Sequence, residues 1–153
     1  MIKYDDLDRR VLVELQRDAS RSIEELGDLV GLSRNAVWRR VKRLEDCGLV
    51  KGRVALVDPD LLGLGLTVFI SVRTDQHDAR WSAKFASALR SFEEVLGVYR
   101  TSGAMDYLIR ARVADVKAYD RLYQRMIEKV DLQDVSASFV MEEIKETTAL
   151  PVR

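Results

Sequence analysis

The chain has 153 residues, 47% of them hydrophobic and 33% charged, with 25 basic and 25 acidic side chains and a formal net charge of zero. This is the composition of a soluble globular protein with one good core or two small domains, and it excludes a disordered chain. No apolar run approaches the roughly 18 residues of a membrane span, and no signal-peptide run opens the sequence, so the expected location is the cytoplasm and no membrane partner is expected. A single cysteine, Cys47, and a single histidine, His77, cannot build a structural zinc site within one chain, and they rule out a disulfide framework. Cys47 falls at a helix end, where it reads as a small packed residue, with a redox sensor as the alternative.

Asp5 to Asp18 reads as a first helix, with Leu7, Val11, Leu12 and Leu15 forming its apolar stripe. Ser22 caps a second helix, Glu25 completes a capping-box pattern three residues on, and Leu26, Leu29 and Val30 are expected to face inward. Gly31 is placed to end that helix in the left-handed conformation, and Ser33 to cap a third. On the third helix Val37, Val41 and Leu44 share one side, while Asn35, Ala36, Arg39, Lys42 and Arg43 point roughly the opposite way. From Ser33 to Leu44 there are five basic residues, Arg34, Arg39, Arg40, Lys42 and Arg43, and no acid. Such a helix lacks the alternating-sign pairs of an ordinary solvated face and calls for an anionic partner. The spacing of helix two, the Gly31 turn and helix three is that of a helix-turn-helix, whose second helix enters the major groove of double-stranded DNA. Asn and Arg there can make bidentate contacts to base edges, and Arg or Lys can neutralise phosphates.

Gly48 ends the third helix, and Leu49 to Val57 alternates around Gly52 like a short hairpin or wing carrying Lys51 and Arg53 beside the phosphates. Asp58-Pro59 breaks regular structure and Asp60 to Gly65 is a glycine-marked connector. The expected organisation is a DNA-binding domain over 1–57, a linker over 58–65 and a second domain over 66–153. In that second domain Leu66 to Val72 alternates as a strand, and Trp81, Phe85, Ala88, Leu89 and Phe92 repeat at helical spacing. Val95–Thr101 and Tyr107–Val113 read as strands, Tyr119 to Val130 as a helix, and Val135–Met141 as a closing strand. The order βαββαβ predicts an α+β fold, a ferredoxin-like antiparallel sheet with both helices on one face. The open face would expose Phe69 and Tyr99, which points to self-association and at least a homodimer. Residues 1–53 hold 12 basic and 10 acidic side chains, leaving 13 and 15 for the remainder. So small an excess makes DNA affinity depend on local placement and on several copies of the domain acting together.

The whole chain resembles the Lrp/AsnC, or feast/famine, family of transcription regulators. The resemblance is carried by LDRRVLVELQRDA, IEELGDLVGLSRNAVWRRVKRLEDCGLVKG, ALVDPDLLG, SGAMDYLIRARVAD and VMEEIKETTALPV, in that order. It implies a winged helix-turn-helix, a ferredoxin-like amino-acid-sensing domain, and dimers that assemble into tetramers or octamers. The DNA-contacting unit carries over to Ile23–Lys42, with Ser33, Arg34, Asn35, Arg39 and Arg43 as leading contacts beside Arg40 and Lys42. Trp38, where many members have a smaller aliphatic residue, is either packed against helix two or a contact to DNA. The ligand site of the family carries over to Gly103-Ala104-Met105-Asp106, flanked by Tyr99, Arg100, Thr101 and Tyr107, with Ser136 and Ser138 as further contributors. Turn amides there would bind an α-carboxylate, and Asp106 would accept bonds from an α-ammonium. The stretch TDQHDARWSAKF, after GLGLTVFI, is similar to a branch that includes a cysteine-responsive regulator, which implies a small or sulfur-containing amino acid as effector. His77 and Trp81 belong to that similarity, or else serve a helix-capping region and the core.

Two rival functions share the architecture. Sirohaem decarboxylases resemble it but use histidine and arginine around a tetrapyrrole, and the only histidine here lies outside the expected sheet pocket. No glycine-flanked nucleophilic serine, second histidine or metal-ligand cluster appears, so no catalytic residue, metal or cofactor is assigned. The other rival is an amino-acid-binding module that acts on a protein partner instead of DNA.

Overall fold

The computed structural model describes residues 4–76 and 78–152; the expectation for His77 lies outside the described residues. Three helices come first, α1 (Asp6–Arg17), α2 (Ile23–Val30) and α3 (Arg34–Asp46). They are followed by β1 (Leu66–Arg73), α4 (Ala79–Arg90), β2 (Val95–Arg100), β3 (Tyr107–Val113), α5 (Val116–Lys129) and β4 (Asp134–Phe139). The chain divides into two compact units, Met1–Leu56 with Lys145–Arg153, and Val57–Ile144. The C-terminal segment, assigned from sequence to the second domain, therefore packs with the first unit.

In the first unit each helix starts on a side chain that satisfies its orphan amides. The Asp5 carboxylate accepts from the Asp8 N–H at 2.8 Å, and the Asp8 carboxylate accepts from the Asp5 N–H at 2.9 Å. Ser22 and Glu25 form the expected second capping box. Gly31 takes φ +70°, and the Ser33 hydroxyl accepts from the Ala36 N–H to start α3. Val11, Leu12, Leu15, Leu26, Val30, Val37, Val41 and Leu44 form the core, with Val152 of the C-terminal segment packed on it. The Gln16 side-chain amide holds that segment, donating to the Leu150 carbonyl at 3.1 Å and accepting from the Leu150 N–H at 2.7 Å.

Three expectations are corrected here. Leu29 does not face inward; it is exposed, and the buried edge of α2 is Leu26, Gly27 and Val30. Gly27 explains the rotation, because a Cβ there would lie 2.7 Å from the Leu32 carbonyl oxygen: the bare glycine lets α2 sit directly against the turn. Residues 51–58 form no hairpin with one another among the described residues, and all of them are exposed. Gly52 is not in the positive-φ conformation that a two-residue hairpin turn requires, so nothing folds the segment back. Cys47 is exposed, its thiol donating to the Leu44 carbonyl as the helix ends, and so is not a packed core residue.

In the second unit the strand order is β2-β3-β1-β4, with every pairing antiparallel. One face of the sheet, including Val68, Ile70, Val72, Ile109, Ala111 and Val113, packs with Trp81, Phe85, Leu89 and Phe92 of the α4 region and Leu122, Met126 and Val130 of the α5 region. The rings of Trp81 and Phe85 stack at 5.0 Å, and Tyr107 closes the cluster at 4.5 Å from Phe85. Strand alternation leaves Phe69, Ser71, Leu108 and Tyr99 on the other face.

Candidate functional site

The outward face of α3 is built by the burial of Val37, Val41 and Leu44, which turns the rest of the helix away from the core. Arg34, Asn35 and Arg39 are exposed on it, and Trp38 is 55% exposed, so the indole lies more outside than in. Arg34 and Arg39 have no hydrogen-bond or ion-pair partner among the described residues. Lys42 pairs with Asp46 at 2.8 Å on the surface, a one-turn contact that a phosphate can displace at little cost.

The remaining two arginines of α3 are differently placed. Arg40 donates through Nη1 to both Asp5 oxygens and to Asp8 Oδ1, each at 2.8 Å. Arg43 donates through Nη2 to Asp8 Oδ2. Asp8 is fully buried, whereas Arg43 remains half-exposed. The capping box of α1 thus doubles as the anchor of α3. Asp5 registers this electrostatically: the Asp8 N–H first, and the Arg40 guanidinium next, lower its carboxyl from 3.8 to about 2. Beyond the helix Lys51 is exposed and unpaired among the described residues, while Arg53 reaches back to Glu45 at 2.9 Å.

Asp8 and Gly27 were not singled out from the sequence, yet each left a signal. Asp8 shares the 8, 11, 12, 15 spacing of the α1 apolar stripe, so an acid there must be buried and matched by cations. Gly27 is an isolated glycine inside a helical pattern, which marks either weakness or close approach.

The second cluster lies at the β2–β3 turn. Thr101 donates its hydroxyl to the Met105 carbonyl at 2.6 Å, and Arg73 donates to the Ala104 carbonyl through Nε and Nη2 at 3.2 and 3.1 Å. Asp106 Oδ2 accepts the Thr74 N–H at 2.9 Å, and Gly103 takes φ +138°. Asp106 therefore ties the end of β1 to the turn and keeps its second oxygen for another donor. Tyr107 is directed into the helix-side aromatic cluster, away from the open face that carries Tyr99. Arg100 pairs in register with Tyr107 at the strand end and is exposed.

Register assembles the open face. Tyr99, Leu108, Ser71 and Ser136 fall in one row across the four strands, and Gly97, Arg110, Phe69 and Ser138 in the next. Ser136 and Ser138 therefore share a face with Tyr99 across the full width of the sheet. The Tyr99 ring lies back over Gly97, where a Cβ would meet its hydroxyl oxygen at 2.6 Å. The face is not uniformly apolar: Arg112 donates to the Thr67 hydroxyl at 3.0 Å and pairs with Glu143. Among the described residues no group of three or more His, Cys, Asp and Glu side chains is placed to hold a metal.

Residues 5–45 match the AsnC-type helix-turn-helix domain, and residues 67–150 match the Lrp/AsnC ligand binding domain. The chain is 45% identical over 149 residues to the DNA-binding transcriptional activator DecR of Escherichia coli (strain K12), covering 97% of this chain and 98% of that protein. An AsnC family transcriptional regulator from Agrobacterium tumefaciens superposes with a TM-score of 0.94 at 44% identity, over 97% of both chains. The transcriptional regulator NMB0573 of Neisseria meningitidis, in its complex with L-Met, superposes with a TM-score of 0.93 at 35% identity, again over 97% of both. With both domain models matched in order along nearly its whole length, the chain belongs to the Lrp/AsnC family of DNA-binding transcription regulators with a ligand-binding domain.

Proposed function

We propose that this regulator reads double-stranded DNA with the outward face of α3 and is controlled by an amino acid bound at the open sheet face. Ser33, Arg34, Asn35, Trp38, Arg39 and Lys42 form the contact set, with Lys51 and Arg53 on the flanking backbone. The observation that carries this reading is the pair Arg34 and Arg39, two exposed guanidiniums without a protein partner among the described residues, beside Asn35 and Trp38. Arg binds guanine edges and phosphates, Asn binds adenine, and an indole covers a thymine methyl or the sugar.

The effector reading rests on the turn 101–106 and the row from Tyr99 to Ser136. Turn amides suit a carboxylate, the free oxygen of Asp106 suits an ammonium, and Tyr99 supplies an apolar wall. The Neisseria relative was solved with L-Met, and a small or sulfur-containing amino acid is the class proposed here. The open face supports pairing of two copies, with tetramers or octamers built on the dimer. Two recognition helices about one DNA turn apart would then supply the phosphate contacts that a near-neutral protomer lacks. The effector acts through coupling: an amino acid that binds one assembly more tightly changes how many recognition helices engage DNA together. The protein works in the cytoplasm and catalyses no reaction in this reading.

The test is fluorescence-anisotropy titration of the full chain with DNA from upstream of its own gene, against a scrambled competitor, with each common amino acid in turn. Preference for the upstream DNA, shifted by one amino acid, is the expected result. No preference at low salt under any condition would sink autoregulation and bring the protein-partner and tetrapyrrole readings forward.

A further inference from the structure

Two carboxylates, Asp5 and Asp8, face two guanidiniums, Arg40 and Arg43, and the four charges balance. Asp8 is central: it is fully buried, its Oδ1 accepts from Arg40, and its Oδ2 accepts from both Arg43 and the Asp5 N–H. A buried carboxylate must be matched by cations, because burying an isolated charge is strongly unfavourable. The match comes from the helix that faces DNA. Of the two arginines, Arg43 is the more open to solvent, its side chain 54% exposed against 22% for Arg40. It lies on the outward side of α3, one turn beyond the unpaired Arg39.

Phosphate contacts are indifferent to sequence, and every cation that finds one raises affinity for all DNA alike. A recognition helix with five cations therefore gains sequence preference if some of them are occupied elsewhere. We propose that Asp8 is a specificity-determining positioning residue: by holding Arg43, and Arg40 with Asp5, it withholds two of the α3 cations from the phosphate backbone. Base reading is left to Asn35 and the two unpaired arginines, while sequence-independent binding is limited.

The experiment measures binding of the full chain to a fluorescent random-sequence duplex of about 30 base pairs between about 50 and 200 mM KCl, where each phosphate contact adds about 0.9 to the slope of log K against log salt. On a random-sequence duplex, which offers no operator base, the unpaired Arg39 falls on phosphate, so Arg39→Gln is the reference and should flatten the slope by about 0.9 per bound protomer. Arg43→Gln in the otherwise unchanged protein should leave the slope as it is. Asp8→Asn should steepen it by about 0.9, so that the affinity lost across that salt range grows about threefold, and adding Arg43→Gln to Asp8→Asn should restore the original slope. A merely structural role for Asp8 would not produce that restoration. The inference is overturned if Arg43→Gln flattens the slope as Arg39→Gln does, or if Asp8→Asn, folded by circular dichroism, leaves the slope unchanged. Should Asp8→Asn fail to fold, the contrast between Arg43→Gln and Arg39→Gln decides alone. Absence of binding by the unaltered chain to this duplex would refute direct DNA contact and the inference with it.

Discussion

On α3, Arg34, Asn35, Trp38 and Arg39 are neighbours because one short helix places them so, whereas Tyr99, Leu108, Ser71 and Ser136 are neighbours only because four strands pair in one register. The first surface is local in sequence and convex; the second is assembled from distant segments. Each is underpinned by an aspartate with a different task. Asp8 is buried and balances two cations of the neighbouring helix, while Asp106 is partly buried and bonds a backbone amide. A helical binding face is thus settled by what its charged residues do with the helix behind them, and a sheet site by which strand lies beside which.

Phe85→Ala removes a fully buried ring stacked on Trp81, and a loss of about 3–5 kcal/mol is expected for the second unit. The two tryptophans lie in different units, so Trp38→Phe leaves Trp81 as a reporter of the second unit alone. Urea unfolding followed by that fluorescence should show the loss; an unchanged midpoint would mean that the aromatic cluster does not hold the sheet to α4. Asp8→Ala is the counterpart in the first unit: it removes the acceptor of the Asp5 N–H and the carboxylate shared by two partly solvated arginines, and a loss of about 1–3 kcal/mol is expected. The Trp81→Phe protein, with Trp38 as reporter, measures it.

Arg39→Ala sharpens the contrast between bound and unbound cations. With no protein partner to lose, it should leave the urea midpoint unchanged and weaken binding to an operator duplex by about 1–3 kcal/mol if it reads a base. Equal weakening on operator and random DNA would assign it to phosphate instead.

The smallest effect concerns pH. The Asp5 carboxyl in the folded protein is lowered from 3.8 to about 2, so its stabilising contribution is present above the unfolded value and is lost as pH falls towards 2. Asp5→Asn should therefore be slightly less stable than the parent at neutral pH, and the two should converge between about pH 4 and pH 2. A stability difference that persists undiminished at pH 2 would show that the Asp5 charge contributes nothing.

Local chemistry was sufficient for much of this protein. The capping residues Ser22 and Ser33, the left-handed Gly31, the apolar stripe of α3 and the βαββαβ order all follow from spacing, because caps, turns and amphipathic periods involve residues within a few positions of one another. The features that spacing misplaced are those in which a distant group intervenes. Leu29 turns outward because Gly27 closes on the Leu32 carbonyl.

Periods of two and about 3.6 residues were enough to fix which helix carries the cations and which side of α3 and of each strand faces the core. Long-range packing brings Arg40 and Arg43 to Asp5 and Asp8, returns the C-terminal segment to Gln16, and sets Ser136 in a row with Tyr99. Those are pairings between residues remote in the chain, and a charge or a hydroxyl carries no local mark of the partner that packing will bring to it.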